Sequence, residues 1–180
     1  MLNNRFKSFS INLSNTNSAS LTKKLSTSLI NDFIYPKIRN FLLESSSIYT
    51  DIDVWWEKTV KSGLSSGERV CNVVFDDDEI IAVSIGKFHR KSSKLCTLKV
   101  NESYRNLGLG HKLLAKTAQQ LIESGCKKVH FTVSDEIKNQ IGEFFSNYGF
   151  NLISWEQNRY SNGHEELVFA SSARDLINSF

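Results

Sequence analysis

Proline occurs once in 180 residues and glycine nine times, too few for a linker-rich or low-complexity chain. Cysteine is scarce as well. Cys71, Cys96 and Cys126 are odd in number, lack close metal-ligand spacing and sit in or beside apolar runs. They read as small buried thiols of a reducing compartment. No run approaches ~20 apolar residues, so no membrane span is expected. Met1 to Leu13 also lacks the apolar core of a secretion signal. The expectation is a soluble, cytoplasmic protein. An excess of one charge is missing too: 22 basic residues face 19 acidic ones. That balance does not by itself indicate a nucleic-acid binder, but it leaves room for an anionic ligand.

What is present suffices for one domain with a sizeable core. Phe9, Ile11 and Leu13 alternate as a first strand, and Ser14 to Ser20 is loop-like. Leu21 to Leu43 has helical periodicity that Pro36 must kink or divide. Asp53 precedes a short helix carrying Trp55, Trp56 and Val60, closed by Gly63. Val70–Phe75 and Ile80–Phe88 read as strands around the acidic turn Asp76 to Glu79, and Leu95–Val100 as a third. A helix over Leu109 to Ile122 should stop at Gly125. Then follow a strand over Val129–Val133, a helix from Ile137 to Tyr148 ended by Gly149, and strands Phe150–Trp155 and Glu166–Ala170. Asn162-Gly163 is the expected turn between the last two. Leu95 to Val133 is thus a strand–helix–strand unit whose strands should be parallel with a right-handed crossover. The carboxyl end of its first strand is where open α/β sheets bind ligands.

At that junction stands Val100-Asn101-Glu102-Ser103-Tyr104-Arg105-Asn106-Leu107-Gly108-Leu109-Gly110. Glycines at 108 and 110 let backbone approach an anion. The first amides of the helix and its dipole then face that anion, and Arg105 can fork onto phosphate oxygens. The alternative is a surface turn with a solvated arginine. No Lys-Ser or Lys-Thr completes a nucleoside-triphosphate loop, and the third glycine of a dinucleotide fingerprint is missing.

The run Cys96 to Val100 followed by Tyr104 to Leu114 resembles the acetyl-CoA signature of the GNAT superfamily of N-acetyltransferases. Asn147-Tyr148-Gly149-Phe150 resembles that family's second landmark, where a helix passes into a strand. The resemblance covers Val70 to Ala170. It implies an α/β (α+β) fold, a mixed sheet of six to seven strands flanked by helices, in a single domain over 1–180. Residues 1–68 would be a divergent N-terminal part and 69–170 the cofactor core. It also implies acetyl-CoA as acyl donor, no metal, and a primary amine as acceptor. Leu98, Lys99 and Val100 would meet the pantetheine arm. Arg105, Asn106, Leu107, Gly108, Leu109 and Gly110 would cradle the pyrophosphate beside His111. Asn139 and Phe145 would add further contacts.

The chain departs from its relatives where proton transfer is expected. Many carry a tyrosine four residues before the glycine of the second landmark; here Phe145 stands there. Many also carry a glutamate at the start of the cofactor strand; here the position is Lys94. No residue inherits a catalytic role, so the catalytic set is unassigned. His89 reads as a solvated loop histidine or a base, His130 as a packed core histidine, and Cys96 as a buried thiol or a nucleophile. Ser134 is a helix cap or a proton relay, and Tyr148 is core packing. Of Trp55 and Trp56, one can pack under the sheet while the other lines a cleft. A catalytically weak coenzyme-A-binding module is the alternative activity. The basic stretch Lys87 to Lys94 could engage an acidic partner or a nucleic acid, and edge strands near the C-terminus could form a homodimer.

Overall fold

The structure, a computed structural model, describes residues 7–11, 33–44, 51–157 and 165–180. Its strands are β1 (Lys7–Ile11), β2 (Arg69–Asp76), β3 (Glu79–Lys87), β4 (Ser92–Val100), β5 (Lys128–Ser134), β6 (Asn151–Gln157) and β7 (Glu165–Ser172). Its helices are α1 (Tyr35–Leu43), α2 (Ile52–Trp55), α3 (Lys61–Ser66), α4 (Leu109–Glu123), α5 (Lys138–Ser146) and α6 (Ala173–Ser179). A π-helical turn, Trp56–Val60, joins α2 to α3. The strands form one mixed seven-stranded sheet in the order β1-β2-β3-β4-β5-β7-β6, the α/β class expected. Leu13, the loop at 14–20, the helical pattern of 21–32 and the Asn162-Gly163 turn lie outside the described residues.

The chain divides into two compact units, residues 1–85 with 97–114 and residues 86–96 with 115–180. In the first, β2 and β3 are near-continuous apolar runs, with Val70, Val73, Ile81, Ala82, Val83 and Ile85 all buried. Such runs suit strands covered on both faces. The β2–β3 turn is tight, and Asp77 takes a φ of +50°, a left-handed position that aspartate tolerates. β1 pairs antiparallel with β2 from Lys7↔Phe75 to Ile11↔Cys71. Pro36 stands in the first turn of α1, where its missing N–H costs nothing. Ile38 and Leu42 on the same helix are 0% and 1% exposed, each contributing roughly 1.5–3 kcal/mol of burial.

Gly63 does not close the tryptophan helix. The helix runs on to Ser66 and stops at Gly67, whose φ of +76° supplies the left-handed end. Gly63 is interior for a steric reason: a Cβ there would lie 2.6 Å from Arg69 Cδ. Arg69 is itself buried, its guanidinium carbon 6.0 Å from the centre of the Trp55 ring. Trp56 points the other way. It is 1% exposed and meets Tyr35 edge-on at 5.6 Å; this buried ring, not Trp55, also borders a cleft in the first unit, so packing and cleft lining fall on one tryptophan rather than two.

In the second unit β4 and β5 are parallel, as expected, through Ser92↔Lys128, Ser93↔Val129 and Lys94↔His130. β4 therefore begins at Ser92 rather than Leu95, because its polar first residues are held by register with β5. β7 lies antiparallel to both β5 and β6. Phe131 on β5 is packed by Phe145 at 4.1 Å, Phe150 at 5.1 Å and Phe169 at 5.2 Å, an aromatic core under α5. Helix α6 was not expected. Its N-cap Ser172 accepts the Asp175 N–H at 3.1 Å and donates its hydroxyl to that carboxylate at 2.7 Å, while Leu176 is fully buried. The three cysteines are free thiols, Cys71 and Cys126 buried and Cys96 half-buried. Burial pushes the Cys71 thiol far up, so it stays protonated.

Candidate functional site

The loop between β4 and α4 is built by short-range backbone bonds. Asn101 donates its N–H to Ile81 O at 2.8 Å, which fixes where the chain leaves the sheet. Its side-chain oxygen accepts the Ser103 N–H at 3.0 Å and starts a 3-10 turn, Glu102–Tyr104. The Asn101 carbonyl accepts from Tyr104 at 2.9 Å, and the Glu102 carbonyl from Arg105 at 3.2 Å. Tyr104 packs against the cluster of Val74, Ile81, Ala82, Leu109 and Leu113. Its hydroxyl donates to Asp76 Oδ2 at 2.8 Å. The start of the loop is thereby pinned at both main chain and side chain.

Beyond Arg105 the backbone turns left-handed twice, with φ of +62° at Asn106 and +75° at Gly108. No heavy atom lies within 4 Å of the position a Gly108 Cβ would take, so the chain is open beside Gly108. The first bond of α4 runs from the Lys112 N–H to Gly108 O at 3.1 Å. The amides of Leu107, Gly108, Leu109 and Gly110 have no acceptor among the described residues. Four unsatisfied donors at the positive end of a 15-residue helix favour an anion. Arg105 is exposed and pairs with Glu102 at 3.2 Å. Leu107 is 44% exposed and Leu109 only 3%; Gly110 is half-buried and His111 and Lys112 are exposed. Open amides and an exposed cation together could hold an anion.

Leu98, Lys99 and Val100 precede the loop and are half-buried. The side chains of Leu98 and Val100 join the same core cluster as Tyr104. The β4–β5 ladder holds only three pairs, although β4 continues to Val100 and β5 to Ser134. Lys99 points its amine at α1: Nζ donates to Phe41 O, meets Glu44 Oε2 at 3.2 Å, and lies 4.5 Å from the centre of the Phe41 ring. A cation there satisfies carbonyl groups at a helix C-terminus.

The other candidates divide clearly. Asn139 is in α5, with its side chain outside the described residues. Phe145 is buried among Phe131, Phe144 and Phe150. Lys94 Nζ donates to Thr132 Oγ1 at 3.1 Å, and His130 Nδ1 is 2.7 Å from Ser92 Oγ, so that histidine is satisfied within the sheet. His89 is exposed and its Nδ1 accepts weakly from the Lys91 and Ser92 amides at 3.4 and 3.5 Å. Cys96 Sγ faces Lys94 O at 3.8 Å. Ser134 stands at the N-cap of a 3-10 turn, Asp135–Ile137, but makes no capping bond. Its hydroxyl reaches Asp135 Oδ1 at 3.4 Å instead, because the backbone enters a 3-10 turn there rather than an α-helix. Tyr148 is buried against Phe144 and Phe180, and burial raises its phenol pKa. Sequence reading missed the positioning role of Asn101, Tyr104 and Lys99. An Asn-x-Ser turn signal was present for the first; nothing in the sequence signals the partners of the other two.

A cleft of about 370 Å³ in the first unit is lined by Tyr35, Pro36, Arg39, Trp56, Glu57 and Lys61. Arg39 Nε donates to Asp53 Oδ1 at 2.6 Å across its rim, and Lys61 pairs with Glu57 at 2.8 Å. Its charges are matched within the chain. Among the described residues no group of histidine, cysteine, aspartate or glutamate side chains could hold a metal ion, and no helix is long and apolar enough to cross a membrane.

Residues 50–167 match the family described as acetyltransferase (GNAT) domain. The fold is similar to a GNAT-family protein from Desulfovibrio desulfuricans, 16% identical with a TM-score of 0.64, covering 78% of this chain and 92% of that one. An aminoglycoside 6'-N-acetyltransferase complexed with coenzyme A is 14% identical with a TM-score of 0.62, covering 78% and 91%. The ribosomal-protein-S18-alanine N-acetyltransferase from Escherichia coli is 21% identical with a TM-score of 0.54, covering 65% and 76%. No curated protein matches the chain in sequence. With a strand–loop–helix junction that leaves its amides open to an anion, and a family match over well over half its length, the chain belongs to the GNAT acetyltransferase family.

Proposed function

We propose that this protein transfers the acetyl group of acetyl-CoA to a primary amine. The observation that carries the reading is the Arg105–Gly110 loop, with open amides, an exposed guanidinium and two left-handed turns. In this reading those amides and Arg105 hold the pyrophosphate. The peptide groups of Leu98 and Val100 would take the pantetheine arm as a strand would. Lys99 contributes its main chain only, since its amine is committed to α1. His111 flanks the phosphates, and Asn139 and Phe145 are further contacts. Bound acetyl-CoA supplies an activated thioester.

The chain's own contribution to chemistry is then mainly geometric. Holding amine and donor together would replace a bimolecular encounter, and the Leu98 amide would stabilise an oxyanion. An alkylamine with a pKa near 10 must reach the site neutral. No described side chain is poised to take its proton: His130 is engaged by Ser92, and Lys94 by Thr132. The Tyr148 phenol, its pKa raised by burial, keeps its proton at neutral pH and could only donate. We therefore assign proton transfer to water.

A second reading, a coenzyme-A-binding module with little turnover, is favoured by Phe145 standing without a hydroxyl inside the aromatic core. Calorimetric titration with coenzyme A, followed by thiol release from acetyl-CoA against a panel of primary amines, separates the two. Binding with turnover supports transfer. Binding without turnover on any amine supports the module, and absence of binding sinks both.

A further inference from the structure

Six cations far apart in sequence come together at one end of the strands of the second unit. Lys87 is the last residue of β3, and Arg90 and Lys91 lie in the connection to β4. Lys127 and Lys128 stand where β5 begins, and Arg174 lies in the first turn of α6. The register Ser92↔Lys128 and Lys128↔Ser172 sets the starts of β4 and β5 beside the end of β7. Adjacent strands are about 4.8 Å apart, so these cations form a row rather than a point. All six are exposed, and none is ion-paired with a carboxylate among the described residues. Carboxylates also lie in these elements: Glu123, at the end of α4, accepts from the neutral Gln119 at 2.8 Å, and Asp175 from the neutral Ser172 at 2.7 Å, and neither pairs with one of the six cations among the described residues.

We propose that this row is a docking surface for the phosphate backbone of single-stranded nucleic acid. A line of unneutralised cations spaced by strands complements a linear polyanion. A membrane surface would call for apolar residues that insert, and the aromatic residue of the β3–β4 connection, Phe88, is half-buried. The surface uses none of the residues assigned above to acetyl-CoA, so its test stands apart from that reading.

The experiment is fluorescence anisotropy of the full chain with labelled 20-nucleotide oligouridine and oligothymidine, at 50 and 200 mM salt. Phosphatidylserine vesicles and polyglutamate serve as competing polyanions. If about four cations engage phosphates, affinity should fall about fifty-fold between the two salt concentrations, from a slope near −0.7 per contact. K91E/K128E should weaken oligonucleotide binding at least tenfold and flatten the salt slope, with coenzyme A affinity and melting temperature unchanged. Binding to either oligonucleotide that shows this response supports the surface. No binding at 50 mM salt, an unaffected double variant, or equal affinity for vesicles or polyglutamate overturns it.

Discussion

The two family landmarks are held in opposite ways. The loop at Asn101 to Gly110 is polar and pinned by backbone bonds and one tyrosine hydroxyl. The region of Phe145 to Phe150 is held by ring packing, with Phe131 at its centre. One landmark is specified by hydrogen bonds that position main chain, the other by volume. In the proposed reading, ligand binding rests on amides that almost any side chain could accompany. The second landmark has Phe145 where many relatives carry a tyrosine, and its one titratable group, the Tyr148 phenol, is buried in ring packing.

Each side of that contrast can be broken separately. Phe131→Ala should cost ~3–5 kcal/mol, since it empties a site ringed by aromatic side chains; urea titration measures it, and a loss under 1 kcal/mol would show that the core collapses to fill the gap. Arg105→Ala should weaken coenzyme A binding by about 1–3 kcal/mol with no change in melting temperature. Its pairing with Glu102 is exposed, with side chains 60% and 84% accessible, and adds little stability. Unchanged affinity by calorimetry would remove Arg105 from the site.

Phe145→Tyr tests whether the second landmark can regain a proton donor. A hydroxyl left buried without a partner should destabilise by about 1–3 kcal/mol. If it reaches the leaving sulfur instead, kcat rises while stability holds, so the two readouts move apart. Tyr104→Phe should cost roughly 0.5–1.5 kcal/mol of stability and raise the KM for acetyl-CoA with kcat unchanged; an effect on kcat alone would contradict a purely positioning role.

The smallest effect concerns α4. Burial lowers the pKa of Lys116 below its usual 10.5, so the unfolded chain binds the proton more tightly. The destabilisation is fully present below the folded pKa and fades as pH rises through it towards 10.5. Lys116→Met should therefore raise the melting temperature at pH 7 by about 1–3 °C, and the gain should vanish above pH 10.5. A gain independent of pH would point to packing rather than charge.

The cofactor loop was legible in the sequence because its features are local. Glycine, an arginine and a helix start follow one another within a few residues, and the left-handed turn falls at Gly108. β2, β3 and α4 were legible from apolar periodicity. What failed was non-local. β4 starts at Ser92 because β5 holds it there, and the sequence of Ser92 to Lys94 carries no strand signal of its own. Helix α6 is announced by Ser172 and Asp175, but it is 7 residues long and too brief for periodicity to reveal. The anchoring of Lys99 on Phe41 and Glu44 spans more than fifty positions, beyond any window of reading. Catalysis was illegible because the groups proposed for it are peptide amides, which every residue possesses.

The packing of Gly63 against Arg69 reaches beyond this one molecule. Because a side chain at 63 would collide with the stem of a buried arginine, the two positions cannot drift independently through a lineage. A side chain at Gly63 requires the Arg69 stem to move or become smaller. A shrunken residue at 69 would in turn leave a gap under Trp55 that an enlarged residue 63 could fill. Homologues should therefore show the pair changing together, a historical dependence that neither residue reveals alone.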